Sequence, residues 1–172
     1  ICYFSWRNVM ECNRKVCFKE LIDKTPIRSS SCNRDCLISF DDRKNISISE
    51  NRKKYLLHND LSNYIAVFHV DGAMVQDKNT IKCDNLVLDT TGMKAIFVEL
   101  KGTDLAHALQ QINQTIDMMK EDIHNCNKYA RIVTSNRTNV PNIRANPEYI
   151  KLYKKANVKV SANLIEEKIS NL

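Results

Sequence analysis

Apolar and polar residues alternate along the chain in patterns that predict both helices and strands. The clearest helix is predicted over residues 105–119, where apolar side chains recur every three or four positions within a narrow arc. A first helix is predicted over residues 7–23 from a broader apolar face. Runs of apolar and β-branched residues predict four strands, at 64–70, 80–88, 94–100 and 129–134.

Weaker signals complete the predicted topology. They indicate three short strands and a further helix, at 37–40, 45–48, 158–161 and from Pro147. The three glycines all fall between Gly72 and Gly102, which indicates that strands reverse within this window. The order α-β-β-β-α-β predicts a single mixed α/β domain over residues 1–172, with its core at 64–134.

Composition narrows the class of protein. With 172 residues, 43% hydrophobic and 27% charged, the chain can bury a substantial core and does not have the composition of a disordered segment. No apolar run approaches the roughly 18–20 residues of a membrane span. Ile1–Trp6 has neither the basic start nor the apolar stretch of a signal peptide. A cytoplasmic location is expected from the odd number of cysteines, which favours reduced thiols. The net charge of +6 permits an anionic partner such as nucleic acid without requiring one.

The seven cysteines are an odd number in a chain with an adequate core, which argues against a disulfide framework and favours reduced thiols. Cys12, Cys17, Cys32 and Cys36 form the pattern C-x4-C…C-x3-C, which looks superficially like a zinc site. Structural zinc usually takes more closely spaced pairs, so buried free thiols are the favoured interpretation. A zinc-stabilised interaction domain is the alternative.

The candidate chemistry lies in the hairpin formed by residues 83–101. If its loop is centred on Thr91-Gly92, facing residues have numbers that sum to 183, for either a two-residue or a four-residue loop. Asp84 then lies directly opposite Glu99, with Cβ atoms roughly 5 Å apart. Lys101 shares their face because strand side chains repeat every second position.

Two like charges opposed in this way destabilise a sheet unless something lies between them. A divalent cation is the simplest candidate, and Mg²⁺ prefers one or two carboxylates while keeping several waters. The ammonium of Lys101 could orient such a water or stabilise charge on phosphorus. Two acids and a lysine thus suit metal-dependent phosphodiester hydrolysis. The alternative is an ion-pair network in which Lys101 neutralises both acids.

The residues from Lys82 to Leu88 and from Phe97 to Gly102, followed by a helix that carries glutamine, resemble the core of the PD-(D/E)xK nuclease superfamily. Cys83 stands where the family name has proline. The resemblance implies a restriction-endonuclease-like fold, with a mixed central β-sheet flanked by helices. It also implies Mg²⁺-dependent DNA cleavage, with Mn²⁺ able to substitute, in restriction, phage defence or DNA repair. Asp84 and Glu99 would be metal ligands and Lys101 would assist catalysis.

Two further site residues are expected from this resemblance. Several branches of the superfamily place a glutamine on the helix after the lysine, and Gln111 fits this role better than Gln110 because it borders the apolar stripe. Some members supply an acid from the first helix. Glu20 projects onto the apolar face of that helix and is predicted as a third metal ligand, ahead of Asp71. A partly exposed Glu20 near the helix end is the alternative.

The expected partner is DNA. Because one active site cuts one strand, cleavage of both strands would need a homodimer, and a separate recognition protein is another expected partner. The competing interpretation is a catalytically inactive nuclease-fold module that binds nucleic acid or protein. Two basic clusters are candidates for phosphate contacts or for an ordinary solvated surface: Arg52, Lys53 and Lys54, and Lys151, Lys154 and Lys155.

Overall fold

The computed structural model describes residues 12–24, 30–135 and 143–172. These residues form three α-helices: α1 (Arg14–Ile22), α2 (Leu105–Met119) and α3 (Pro147–Tyr153). Each helix begins after a residue whose side chain accepts hydrogen bonds from backbone N–H groups of the first turn. These capping residues are Asn13, Asp104 and Asn146. Among the described helices, none has the length and apolar character needed to cross a membrane.

The described residues also form nine strands. They are β1 (Leu37–Asp41), β2 (Asn45–Glu50), β3 (Lys53–His58), β4 (Ile65–His69), β5 (Asn85–Asp89), β6 (Lys94–Lys101), β7 (Asn127–Thr134), β8 (Asn157–Ala162) and β9 (Leu164–Lys168). Short 3₁₀ helices occupy Ile143–Ala145 and Ile169–Asn171.

The strands form two mixed sheets. The larger has the order β1-β4-β5-β6-β7-β8, antiparallel from β1 to β6 and parallel from β6 to β8. The smaller has the order β2-β3-β9, in which β2 is antiparallel and β9 parallel to β3. The predicted mixed α/β class is therefore confirmed.

The six-stranded sheet buries apolar residues on both faces. In β6, Ala95 and Phe97 belong to a core that includes residues of α1, α2 and α3. Ile96 and Val98 point the other way, into a second core shared with the smaller sheet. On the helical side, Phe18 of α1 packs on Phe68 of β4 with ring centroids 5.2 Å apart. The large sheet is thus the middle layer.

The weaker signals at 37–40, 45–48, 158–161 and from Pro147 correspond to β1, β2, β8 and α3, so these predictions are confirmed. The predicted helix at 105–119 is α2, residue for residue. The helix predicted at 7–23 can be compared only in part, because residues 7–11 lie outside the described residues. The part that the structure describes contains α1. β3 and β9 were not predicted. Lys53, grouped with a solvated basic cluster, lies within β3 and is only 5% exposed.

The strand predicted at 80–88 was wrong in its first half, because β5 begins only at Asn85. The preceding segment is irregular. The buried ammonium of Lys82 donates hydrogen bonds to the carbonyl oxygens of Asp77 and Thr80, at 2.6 and 3.1 Å. This local bonding replaces a strand ladder in that segment.

The hairpin between β5 and β6 has the predicted register. Asp89 pairs with Lys94 and Leu86 with Phe97, so facing residues sum to 183 and the loop has four residues. The buried Asp89 carboxylate accepts hydrogen bonds from the N–H groups of Thr91 and Gly92, at 3.0 and 2.7 Å. A Cβ atom at Gly92 would overlap this carboxylate, which explains the glycine.

The cysteines depart from the expectation of free thiols. Cys17 and Cys32 form a disulfide, because α1 and the returning chain bring their Cα atoms within 4.8 Å. Cys12, Cys36, Cys83 and Cys126 are buried free thiols, as expected. Two of the four sulfurs of the proposed zinc pattern are therefore bonded to each other, which contradicts a four-cysteine zinc site.

Arg131→Met is expected to destabilise the fold by about 3 kcal/mol, because the buried Glu167 loses its nearest cation and keeps only Lys159 and the Tyr55 hydroxyl. The Arg131 side chain is 2% exposed and its Nε donates to Glu167 Oε1 at 2.6 Å. Urea unfolding measures the loss. Arg43→Met is the matched control, since the Arg43–Asp41 pair is exposed and should contribute less than about 1 kcal/mol. Equal losses in the two variants would contradict this account of the buried pair.

Candidate active site

Two carboxylates lie at the open end of the β5–β6 hairpin, where β5 begins. The last backbone pair of the ladder at this end joins Asn85 to Val98. One position further, the N–H of Asp84 donates to Glu99 Oε2 at 3.0 Å, and the N–H of Leu100 donates to Asp84 Oδ2 at 3.0 Å. Each side chain thus takes the place of a carbonyl on the opposite strand. Asp84 and Glu99, the carboxylate pair, are held next to each other by the backbone.

The carboxylate pair lies on the helical face of the large sheet. In β5, Leu86 and Leu88 belong to the core beneath the helices. Because side chains repeat every second position, Asp84 shares their face, as Glu99 and Lys101 share the face of Phe97. The structure therefore brings together the three residues that the hairpin register predicted.

Burial and mutual repulsion make the carboxylate pair difficult to ionise. Burial is the main cause that raises the pKa of Glu99 to about 8, with the Asp84 charge second, while the Asp84 N–H and the Lys101 charge oppose the rise. Glu99 is only 1% exposed. Burial also raises the pKa of Asp84, against the Leu100 hydrogen bond. Without a cation, the pair therefore tends to retain a proton near neutral pH.

The Lys101 ammonium is close enough to lower the pKa of both carboxyl groups. Within the described part of the chain, it forms no ion pair within 4.0 Å of either. The alternative of a network in which Lys101 neutralises both acids by direct contact is therefore not what the structure has. Lys101 acts on the pair through its charge.

Gln111 lies on the inward side of α2, as predicted. Its Nε2 donates to the carbonyl oxygen of Lys82 at 2.9 Å, two residues before Asp84. Its Oε1 is buried and has no hydrogen-bond partner among the residues that the structure describes. Gln111 also lines a cleft of about 510 Å³ together with Asp71, Lys82 and His107. It connects α2 to the segment that leads into the carboxylate pair.

The expectation that Glu20 is a third ligand requires correction. Glu20 Oε2 accepts hydrogen bonds from both the N–H and the Oγ of Ser31, at 2.7 and 2.8 Å, so its carboxylate joins α1 to the following segment. Across residues 12–24, 30–135 and 143–172, no three His, Cys, Asp or Glu side chains gather closely enough to hold a metal ion. The acidic site is a pair rather than a triad.

Two other acids act on the carboxylate pair from a distance. Asp71 raises the pKa of both members, and Glu50 raises that of Asp84. Asp71 follows β4, whose end lies beside the start of β5, and it forms an ion pair of 3.2 Å with Lys82. The position of Asp71 just after a strand that pairs with β5 is the feature from which the sequence could have placed Asp71 nearer the carboxylate pair than Glu20. Glu50 gave no such signal, because its approach depends on how the smaller sheet packs.

Two of the three lysines in the second basic cluster share one acidic partner. Lys151 and Lys155 both pair with Asp117. Lys154 lines a separate cleft of about 880 Å³ near the starts of β7 and β8, at the opposite end of the strands from Glu99. In this cleft, Arg131 and Lys159 share one acidic partner, Glu167. The cations of both groups lie away from the carboxylate pair.

No family model, curated protein or solved structure matches this chain. Its own geometry defines its class: a mixed α/β protein in which a buried glutamate, a half-buried aspartate and a lysine lie at one end of a central sheet.

Glu99→Gln is expected to stabilise the fold at high pH. The folded-state pKa of Glu99, about 8, lies above the ordinary value of 4.5, so between these values the folded protein holds a proton that the unfolded chain has lost. Stability therefore falls as the pH rises from 4.5 through 8. A neutral amide removes this loss. We expect a gain of a few kcal/mol at about pH 9, since one pKa unit corresponds to about 1.4 kcal/mol.

Urea unfolding across the pH range measures this gain. Glu121→Gln, at an exposed position after α2, is the matched control and should leave the pH profile unchanged. A Glu99→Gln profile parallel to that of the wild type would contradict the raised pKa.

Proposed function

We propose that the protein is an Mg²⁺-dependent nuclease that hydrolyses phosphodiester bonds in DNA, with a restriction-endonuclease-like fold. The observation that carries the proposal is the carboxylate pair, which two backbone hydrogen bonds hold on one face of the sheet beside Lys101. Such a set of charged groups, with Glu99 buried and Asp84 and Lys101 half-buried, is costly for folding unless it serves a ligand.

The order of elements around the pair supports the fold assignment. If β1, β2 and β3, which lie between α1 and β4, are left aside, α1 is followed by the antiparallel strands β4, β5 and β6, then by α2 and by β7, which is parallel to β6. This is the α-β-β-β-α-β order that the family resemblance implies. β1 extends the sheet beyond β4, and β8 extends it beyond β7.

The donor set suits Mg²⁺. Glu99 and Asp84 each use one oxygen to accept a backbone N–H, which leaves the other oxygen of each outside these two bonds. Two carboxylates are a usual number for Mg²⁺, which otherwise retains water. Bound there, the ion would neutralise the pair, polarise a phosphoryl oxygen and lower the pKa of its water.

The remaining residues have roles that follow from their positions. The ammonium of Lys101 carries positive charge beside the pair, where it would stabilise negative charge on the phosphate. Gln111 is a positioning residue, because its amide holds the Lys82 carbonyl and so fixes the backbone leading to Asp84. Both strands of a duplex would be cut by a dimer of this chain.

Substitution of the three central residues should abolish cleavage. We expect the wild type to nick supercoiled plasmid with Mg²⁺ or Mn²⁺, and Asp84→Asn, Glu99→Gln and Lys101→Ala to reduce the rate about 100-fold or more. Gel electrophoresis of plasmid time courses measures this. Glu20→Gln and Asp117→Asn are carboxylate controls away from the pair and should retain the wild-type rate.

Two results would overturn the nuclease proposal. Equal rates in the wild type and all variants would identify a contaminant. A folded wild type that binds DNA without cutting it under either metal would favour the inactive binding module.

Metal binding itself can be tested without activity. Because Mg²⁺ must displace the proton from Glu99, we expect it to raise the Tm of the wild type more at about pH 8.5 than at about pH 6.5. Differential scanning calorimetry measures the shift. Asp84→Asn with Glu99→Gln should lose it, whereas Asp117→Asn should keep it. A shift that is independent of pH, or that persists in the double variant, would place the ion elsewhere.

A further inference from the structure

Four cysteines lie in the core between the helices and the large sheet, separate from the carboxylate pair. Cys12, Cys17, Cys32 and Cys36 all belong to the core on this side, and none is more than 7% exposed. Cys17 lies on α1, and Cys32 lies on the segment that returns from it to β1. The proposed nuclease chemistry uses none of them.

The four sulfurs are arranged as two nested pairs. The inner pair, Cys17 and Cys32, is already a disulfide. The outer pair consists of Cys12, five residues before Cys17, and Cys36, four residues after Cys32. The side chains of Cys12 and Cys36 are near enough to shift each other's pKa, and Cys36 Sγ also donates to the carbonyl oxygen of Asn33 at 3.2 Å.

The two outer thiols differ in reactivity. The interaction with the Cys36 side chain is the main cause that lowers the pKa of Cys12 to about 7, while the same interaction raises the pKa of Cys36. Cys12 is 7% exposed and Cys36 is fully buried. Since the thiolate is the nucleophile, Cys12 suits the attacking role and Cys36 the resolving role.

We propose that Cys12 and Cys36 form a thiol–disulfide site that reacts with a low-molecular-weight disulfide and closes a second disulfide around the first. The Cys12 thiolate attacks one sulfur of the oxidant and displaces one thiolate. Cys36 then loses its proton, attacks the Cys12 sulfur and displaces the second. Two protein thiols lose two electrons and two protons, and the oxidant becomes two thiols.

The outer disulfide would fix the start of α1 to the start of β1. Cys12 immediately precedes the capping residue Asn13, and Cys36 immediately precedes Leu37, the first residue of β1. The carbonyl of Cys36 also accepts the N–H of His69, which ends β4. Oxidation would therefore link the helix covalently to the edge of the large sheet.

Peptide mapping of the full chain tests the proposal, with glutathione disulfide as the probe. After folded protein is oxidised, remaining thiols are alkylated under denaturing conditions and the chain is digested with trypsin without reduction. Cleavage after Arg14, Lys15 and Arg34 separates the four cysteines into four peptides, 8–14, 16–19, 29–34 and 35–43. We expect 8–14 linked to 35–43, and 16–19 linked to 29–34.

Serine variants test the assigned roles. In Cys36→Ser, Cys12 should accumulate as its glutathione adduct, because no resolving thiol is present. In Cys12→Ser, Cys36 should be recovered alkylated. Cys126→Ser is the matched control, since Cys126 is a buried free thiol in another part of the core. This variant should still form the disulfide between Cys12 and Cys36. The Tm of the wild type should rise by a few degrees on oxidation, and that of Cys12→Ser should not.

Three outcomes would overturn the proposal. One is recovery of Cys12 and Cys36 in the wild type as separate alkylated or glutathionylated peptides. The second is a crossed linkage, Cys12 to Cys32 or Cys17 to Cys36. The third is an outer link that forms no faster than reaction at Cys83 and Cys126, which would indicate oxidation of the unfolded chain.

Discussion

Two hydrogen bonds from backbone amides to carboxylates determine the geometry on which the candidate site depends. Where β5 and β6 stop exchanging backbone hydrogen bonds at this end, the Asp84 N–H bonds to Glu99 and the Leu100 N–H bonds to Asp84. This arrangement satisfies polar backbone groups that would otherwise be buried without partners. It also forces two acids together on a buried face, so the same bonds that complete the sheet create an electrostatic strain that a cation would relieve.

The rest of the fold maintains that constraint. Apolar side chains on both faces of β6 exclude water, and burial is the main reason that both carboxyl groups resist ionisation. Gln111 holds the segment before Asp84 from the helix above. Lys101 offsets part of the repulsion without contacting either acid within ion-pair distance. Ionisation of the two carboxyl groups is therefore opposed by their burial and favoured by the charge of the nearby Lys101 ammonium.

Local patterns were sufficient for part of this structure. The spacing of apolar residues predicted α2, and strand parity with a loop at Thr91-Gly92 predicted that Asp84 faces Glu99. Features set by tertiary packing were not predictable in this way. β9 buries only Ile165 fully, too little for a strand signal, and the approach of Cys17 to Cys32 depends on how the chain returns from α1. Likewise, helical projection predicted that Glu20 points inward, but it could not reveal Ser31 as its hydrogen-bond partner.

The most direct test is a titration of the side-chain carboxyl carbons of Asp84 and Glu99 by NMR, with and without Mg²⁺. Without the ion, the account predicts that Glu99 titrates near pH 8, with Asp84 above its ordinary value. Saturating Mg²⁺ should lower both midpoints, because the metal binds only the ionised groups. A Glu99 midpoint near 4.5 that Mg²⁺ leaves unchanged would show that the acids are neither coupled nor a metal site, and would contradict the account.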